Sequence, residues 1–432
     1  MTETPVTQRS AAKRWTCPFC LLLCDTSVVE VSESGALTLS GAGCACASRA
    51  LAQFSGTPSN ASPRINGRDC SLGEAVTAAA CLLAASRQPL FGGLGTDVAG
   101  ARALYRLACE TGAICDAAAG RALMHGLRTL QDRGSFFTTL AEVRTRADLI
   151  VCLGGVPTGQ APNFFERCGV GEALVAQRHV LVLGGHAADE AVLAELAQRP
   201  GVTVEAVPLF GDLFSTVAAL SALVAGRQVK QAPASLAVLA ARLKRARYAV
   251  LVGETGKLPE QGALIVEAIN RIVGTLNQDT RAAALWLGGG NGASSVNQVF
   301  TWLSGLPLRS RAGPAGLEHE PLCFDAGRLL AEGSVDSLLW VSSFSADSAP
   351  PATELPLIVL GHPDLPLPPQ AKESVFIPVS TPGIGSPGHL FRTDGVVLLP
   401  LFPIYRDTLP TLGEVLARLT PAVNTLRTEA SP

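Results

Sequence analysis

A series of short apolar runs, each closed by glycine or serine and followed by apolar residues three and four positions apart, confines this chain to an α/β architecture. The runs cover residues 89–94 before Gly95, 149–153 before Gly154-Gly155, 180–183 before Gly184-Gly185 and 248–252 before Gly253. Further on come 284–287 before Gly288-Gly289-Gly290, 337–341 before Ser342-Ser343 and 357–360 before Gly361. Such runs read as strands buried on both faces, and the helical spacing between them supplies the crossovers of parallel sheets. Several Rossmann-like parallel-sheet subdomains are predicted. Small residues after each strand leave open backbone at its carboxyl end, where α/β folds hold ligands. No GxGxxG fingerprint with a downstream acid accompanies them, and 153–158 and 287–292 are the nearest approaches. Glycines that only permit tight turns are the first account of any one of these loops.

At 432 residues the chain exceeds what one hydrophobic core usually organises, and 47% hydrophobic against 16% charged residues suits many buried strands. The predicted division is a flexible N-terminus (1–14), a cysteine-rich lobe (15–55), a first α/β region (56–225) and a second (235–373). Residues 226–234 form the linker, and 374–432 form a C-terminal loop and hairpin region with a last helix. A formal charge of −2 without a Lys/Arg run argues against nucleic acid as a partner. No stretch reaches the ~20 apolar residues of a membrane span and the first residues are polar, so the cytoplasm is expected.

Twelve cysteines in such a chain are read as thiols or metal ligands, not disulfides. Cys81, Cys109, Cys152, Cys168 and Cys323 lie in apolar runs and are read as small hydrophobes. Cys17-Pro18-Phe19-Cys20-Leu21-Leu22-Leu23-Cys24 is different, because CxxCxxxC brings three thiols into one tight turn. Between it and Cys44, residues 26–31 and 36–39 alternate around Glu33-Ser34-Gly35, a hairpin that returns the chain to supply a fourth ligand. Three cysteines crowded into eight residues suit a four-iron cluster better than zinc. Cys46 is an alternative fourth ligand, and a lobe of unmetallated thiols is the third possibility.

With those cysteines placed, the chain resembles the B subunit of formylmethanofuran dehydrogenase, within the molybdopterin oxidoreductase class that includes formate dehydrogenases. Leu94-Gly95-Thr96, Arg146-Ala147-Asp148-Leu149-Ile150, Ile377-Pro378-Val379-Ser380-Thr381-Pro382-Gly383-Ile384 and Arg392-Thr393-Asp394-Gly395-Val396 carry the resemblance along most of its length. In that family tungsten or molybdenum is held by two pterin dithiolenes and a cysteine or selenocysteine followed by histidine and glycine. The corresponding stretch here is Leu123-Met124-His125-Gly126, so Met124 takes the ligand position. A thioether is neutral and weakly donating where the centre needs a thiolate. Met124 is equally the residue that would fill the gap left by a lost site. Cations for the pterin phosphates are also scarce after the strand at 149–153, although Arg309, Arg311, Asn291 and Asn297 are available elsewhere.

The resemblance implies a non-redox member, most like the B subunit of the bacterial formyltransferase/hydrolase complex. It would be a scaffold for a transferase subunit and an amidohydrolase-like subunit that together take a formyl group from tetrahydromethanopterin through methylofuran to formate. A tungsten or molybdenum bis-pterin would be absent, and methylofuran would be carried by the complex. The alternative is an active oxidoreductase in which hydroxide or sulfide bypasses Met124, and a nucleotide-binding module is a third reading. Other catalytic sets fail. No GxSxG occurs, and six histidines show neither HxH nor HxxxH spacing. His125, alone among them beside a candidate position, reads as a core histidine. Asp325, Asp394 and Glu267 form no acid/base pair.

Overall fold

The computed structural model describes residues 14–40, 43–55 and 59–430; residues 1–13, read above as a loose terminus, lie outside them. Each apolar run is a strand, and they divide between two sheets. The five-stranded sheet is wholly parallel, in the order Val202–Val207, Arg178–Leu183, Leu149–Leu153, Ala249–Glu254, Ala282–Leu287. The chain enters at its middle, winds outward to Val202–Val207, then returns to build the other side. Winding reverses between Leu149–Leu153 and Ala249–Glu254, the place where open α/β sheets form a crevice. This sheet draws strands from both sides of residues 226–234.

The nine-stranded sheet runs Gly316–His319, Ser310–Gly313, Ile114–Cys115, Pro89–Gly95, Ser337–Ser342, Leu357–Gly361, Ser374–Pro378, Arg64–Ile65, Arg68–Asp69. Its interior pairs are parallel and its edge pairs antiparallel. Helices Leu72–Ala85, Val98–Thr111, Ala293–Ser304 and Leu412–Ala430 cover one face. Local chemistry sets where helices begin: Ser71 and Glu74 form a capping box, and Asp97 and Asp212 accept from the backbone N–H three residues on.

Residues Ser27–Val31 and Leu37–Ser40 form the expected hairpin, joined by Arg14–Trp15 into a three-stranded sheet. This small sheet places the cysteine loop. Cys20, Leu21, Leu22 and Cys24 pack with Phe164, Phe165, Cys168, Val182 and Val252 on one face of the five-stranded sheet. The loop is therefore fixed by burial of its leucines, and not by its cysteines alone.

The reading of all five isolated cysteines as small hydrophobes needs correction. Cys152 and Cys168 are buried and Cys109 partly so, but Cys81 and Cys323 are exposed. Cys81 follows the buried Ala80 and Cys323 precedes the buried Phe324, while both cysteines face out, as Leu322 does beside Cys323. No helix among the described residues is long and apolar enough to cross a membrane.

Candidate functional site

Two constellations lie at the seam between the sheets. The first is the cysteine lobe. The Cys17 backbone N–H donates to the Cys24 carbonyl at 2.9 Å and Leu23 donates to Cys20 at 3.3 Å, closing the loop, with Leu23 in the left-handed region (φ 45°). Cys17, Cys20, Cys24 and Cys44 are all buried. Their thiols feel one another: burial, followed by neighbouring Cys20, raises the Cys17 thiol well above its ordinary value. Burial likewise pushes Cys20 up to about 12, with Cys24, Cys46 and Cys44 adding to the effect. The Cys24 thiol is raised by burial against the opposing pull of Arg167.

Cys46 sits differently. It is half-buried, its Sγ lies 3.7 Å from the Phe19 carbonyl, and it lines a cavity of about 370 Å³ with Pro18, Phe19, Arg49, Asn291 and Phe344.

Among the described residues no three His, Cys, Asp or Glu side chains are arranged to hold a single metal ion. A tetrahedral zinc bonded at about 2.3 Å needs its sulfurs about 3.8 Å apart. A four-iron cluster binds one thiolate on each iron and so accepts a wider spread.

The second constellation surrounds helix Gly120–Arg133. Met124 and His125 are both buried on it. The His125 ring packs on Gly262 at the start of helix Gly262–Leu276, where any Cβ would come within 2.8 Å of the ring. Burial, then Arg121 and Arg309, lowers the His125 pKa, which keeps the imidazole neutral.

Beside this helix lies Asp116, which the sequence alone does not single out. Its Oδ2 stands 3.2 Å from Arg309 Nε and accepts the Ala326 N–H at 2.9 Å, while Arg309 Nη2 also binds Asp325. Burial outweighs Arg309 and raises Asp116 to about 6. A lone Asp after a short strand carries no motif, so the available signal was only its position at a strand's carboxyl end.

The other cleft residues named from the sequence are committed elsewhere. Arg311 Nε pairs with Glu318 at 2.6 Å, Asn297 Oδ1 accepts the Leu308 N–H, and Arg392 pairs with Asp394. Asp394 also accepts the Leu140 N–H at 3.1 Å, a capping role. Glu267 pairs with Arg133 at 3.4 Å. Asn291 alone of the set stays in the seam, donating to Ser342 Oγ at 3.3 Å. Arg309 and Arg311 are thus neutralised by carboxylates, while Arg49 in the Cys46 cavity and Arg121 on the Met124 helix take part in no ion pair among the described residues.

No protein-family model matches the chain. It is 32% identical to the B subunit of the formyltransferase/hydrolase complex Fhc of Methylorubrum extorquens, over 65% of this chain and 75% of that one. It is 26% identical to the B subunit of the tungsten-containing formylmethanofuran dehydrogenase 2 of Methanocaldococcus jannaschii, covering 88% and 91% of the two chains. The corresponding Methanococcus maripaludis protein is 25% identical, covering 89% and 92%. Among solved structures, the FhcABCD complex of Methylorubrum extorquens with methylofuran superposes at a TM-score of 0.72 and 28% identity, over 84% of this chain and 99% of that one. With its parallel sheets, cysteine lobe and Met124 helix placed as described, this chain belongs to the family of B subunits of the formyltransferase/hydrolase complex, homologous to those of formylmethanofuran dehydrogenase.

Proposed function

We propose that this chain is the B subunit of a formyltransferase/hydrolase complex working with methylofuran, and that within it the chain is a scaffold without redox catalysis. Met124 carries this reading. Its buried thioether stands on the helix where redox relatives place an anionic ligand, and a thioether cannot replace a thiolate on a high-valent metal. The pairing of Arg309 and Arg311 with carboxylates supports the same conclusion, since those two guanidinium groups are already committed and not available to bis-pterin phosphates. With a thioether at the ligand position, the donor set does not fit a tungsten or molybdenum centre.

A four-iron cluster does fit the chemistry of the lobe. Cys17, Cys20, Cys24 and Cys44 would hold it, with Cys46 the less favoured fourth ligand because its thiol faces the Phe19 carbonyl and the cavity. Bound there as thiolates, the cysteines would pin the lobe against the five-stranded sheet, Cys17, Cys20 and Cys24 giving up protons that burial otherwise favours.

Elemental analysis of the purified complex tests both statements. About four irons per copy of this chain and no tungsten or molybdenum are expected. Stoichiometric tungsten or molybdenum would overturn the scaffold reading, and zinc in place of iron would overturn the cluster.

A second test concerns Met124 directly. Met124→Ala should lower stability by about 2–3 kcal/mol through the cavity it leaves, while formyl transfer by the assembled complex falls only with the folded fraction. A transfer rate that drops further than the folded fraction would give Met124 a part in the chemistry.

A further inference from the structure

Away from the seam, at the amino ends of strands Leu149–Leu153, Ala249–Glu254 and Ala282–Leu287, lies a groove of about 870 Å³ whose contents no part of the scaffold reading explains. Its rim carries Phe136 and Phe137, 52% and 54% exposed, with Leu174 at 60%. These rings are not exposed by fraying. The Phe136 carbonyl accepts the Ala284 N–H at 2.9 Å and Thr138 donates to the Ala284 carbonyl at 3.3 Å, so Phe137 is pinned along the edge of the sheet. The apolar area is held outward by backbone pairing, which a monomeric surface has no reason to do.

The same groove collects Arg146, Arg247 and Arg281. Arg247 and Arg281 have no ion-pair partner among the described residues, and Arg146 has only a 3.6 Å contact with Glu142 that is largely exposed. The nearby carboxylate of Asp148 is already taken by the backbone N–H groups of Arg247 and Tyr248, at 3.0 and 2.9 Å. Aromatic rings beside unpaired guanidinium groups are the composition of binding hot spots.

We propose that this groove docks another subunit of the complex, through a segment of that subunit that places carboxylates beside apolar side chains. The inference rests on the reading of the chain as a subunit and adds the face it uses. A second copy of the chain fits poorly, because a two-fold contact would set arginine against arginine. A small ligand is also a poor fit, since α/β sheets bind ligands at the opposite, carboxyl ends of their strands.

The test co-expresses the full-length tagged chain with the other subunits of its complex and follows assembly by native mass spectrometry over a salt series. Arg247→Glu with Arg281→Glu should weaken retention of the other subunits by about 100-fold or more, and Phe137→Ser by about 10-fold. The isolated chain should keep its far-UV circular dichroism and melting temperature. Arg227→Glu with Lys230→Glu, on the exposed loop before helix Ala234–Arg245, should assemble as the wild type does.

Unchanged stoichiometry and salt dependence in the Arg247/Arg281 double variant, with the wild type assembling, would overturn the docking face and leave the subunit reading standing. A self-dimer of the wild-type chain that the double variant dissolves would overturn it in favour of a second copy. Failure of the wild-type chain to hold the other subunits at all would overturn the subunit reading, and this inference with it.

Discussion

Replacing Arg309 by methionine is expected to destabilise the chain by about 3–5 kcal/mol at pH 8, the usual consequence of removing one partner from a buried ion pair. Arg309 is 4% exposed, holds a left-handed backbone (φ 64°) and binds both Asp116 and Asp325. Methionine fills the space of the stem but leaves the 2%-exposed Asp116 without its cation.

The pH dependence separates this from simple loss of packing. Burial, only partly opposed by Arg309, lifts Asp116 from 3.8 to about 6. Between those values the folded chain holds a proton that the unfolded chain has released. The stabilising contribution of Asp116 is therefore complete below about pH 4 and is lost as pH rises through about 6. Without Arg309 the carboxyl stays protonated to higher pH, so the variant should be much closer to wild type at pH 5 than at pH 8. Urea unfolding at the two pH values measures this. A loss under about 1 kcal/mol at pH 8, or an equal loss at both, would remove the ion pair from the account.

That network also marks how far the sequence could be read. Strands such as Leu149–Leu153 and Leu357–Gly361 are buried on both faces, so they stand out as unbroken apolar runs ending in small residues. Val202–Val207 was missed because it is an edge strand, partly exposed, and ends at proline instead of glycine. Ser374–Pro378 fell inside a stretch dominated by turn residues and read as loop. The order of strands was not legible. Nothing local tells Ala249–Glu254 to lie beside Leu149–Leu153, since that pairing is decided by which helices can cover the sheet.

The candidate site divides along the same line. The cysteine loop was visible because its geometry is contained within eight residues and closes on its own backbone hydrogen bond. Met124 was visible through the resemblance and through its rarity, with Met1 the only other methionine. Arg309, read as a cation available to phosphates, is instead held by Asp116 and Asp325, and no sequence pattern joins residues so far apart. Charge pairing in a core is settled by tertiary packing, which the chain reveals only when folded.

The second large effect is expected at Gly292. This residue caps helix Ala293–Ser304 in the left-handed region (φ 76°), and its loop follows a strand of the five-stranded sheet. A Cβ built there would lie 2.2 Å from the Thr96 carbonyl oxygen and 2.9 Å from the Thr96 nitrogen, just past Pro89–Gly95 of the nine-stranded sheet. The obstacle is backbone, which cannot swing aside as a side chain can. Gly292→Ala combines left-handed strain with overpacking and should cost about 2–4 kcal/mol. Gly126 offers the opposite case on the Met124 helix: a Cβ there meets nothing within 4 Å, and the helical backbone suits alanine. Gly126→Ala should stabilise by about 0.5–1 kcal/mol and leave formyl transfer by the complex unchanged. If that glycine still served a close-approaching cofactor, the added methyl would lower activity despite the gain in stability. Melting temperatures and transfer rates of the two alanine variants, measured side by side, therefore separate a glycine the fold requires from one kept in a site that no longer needs it.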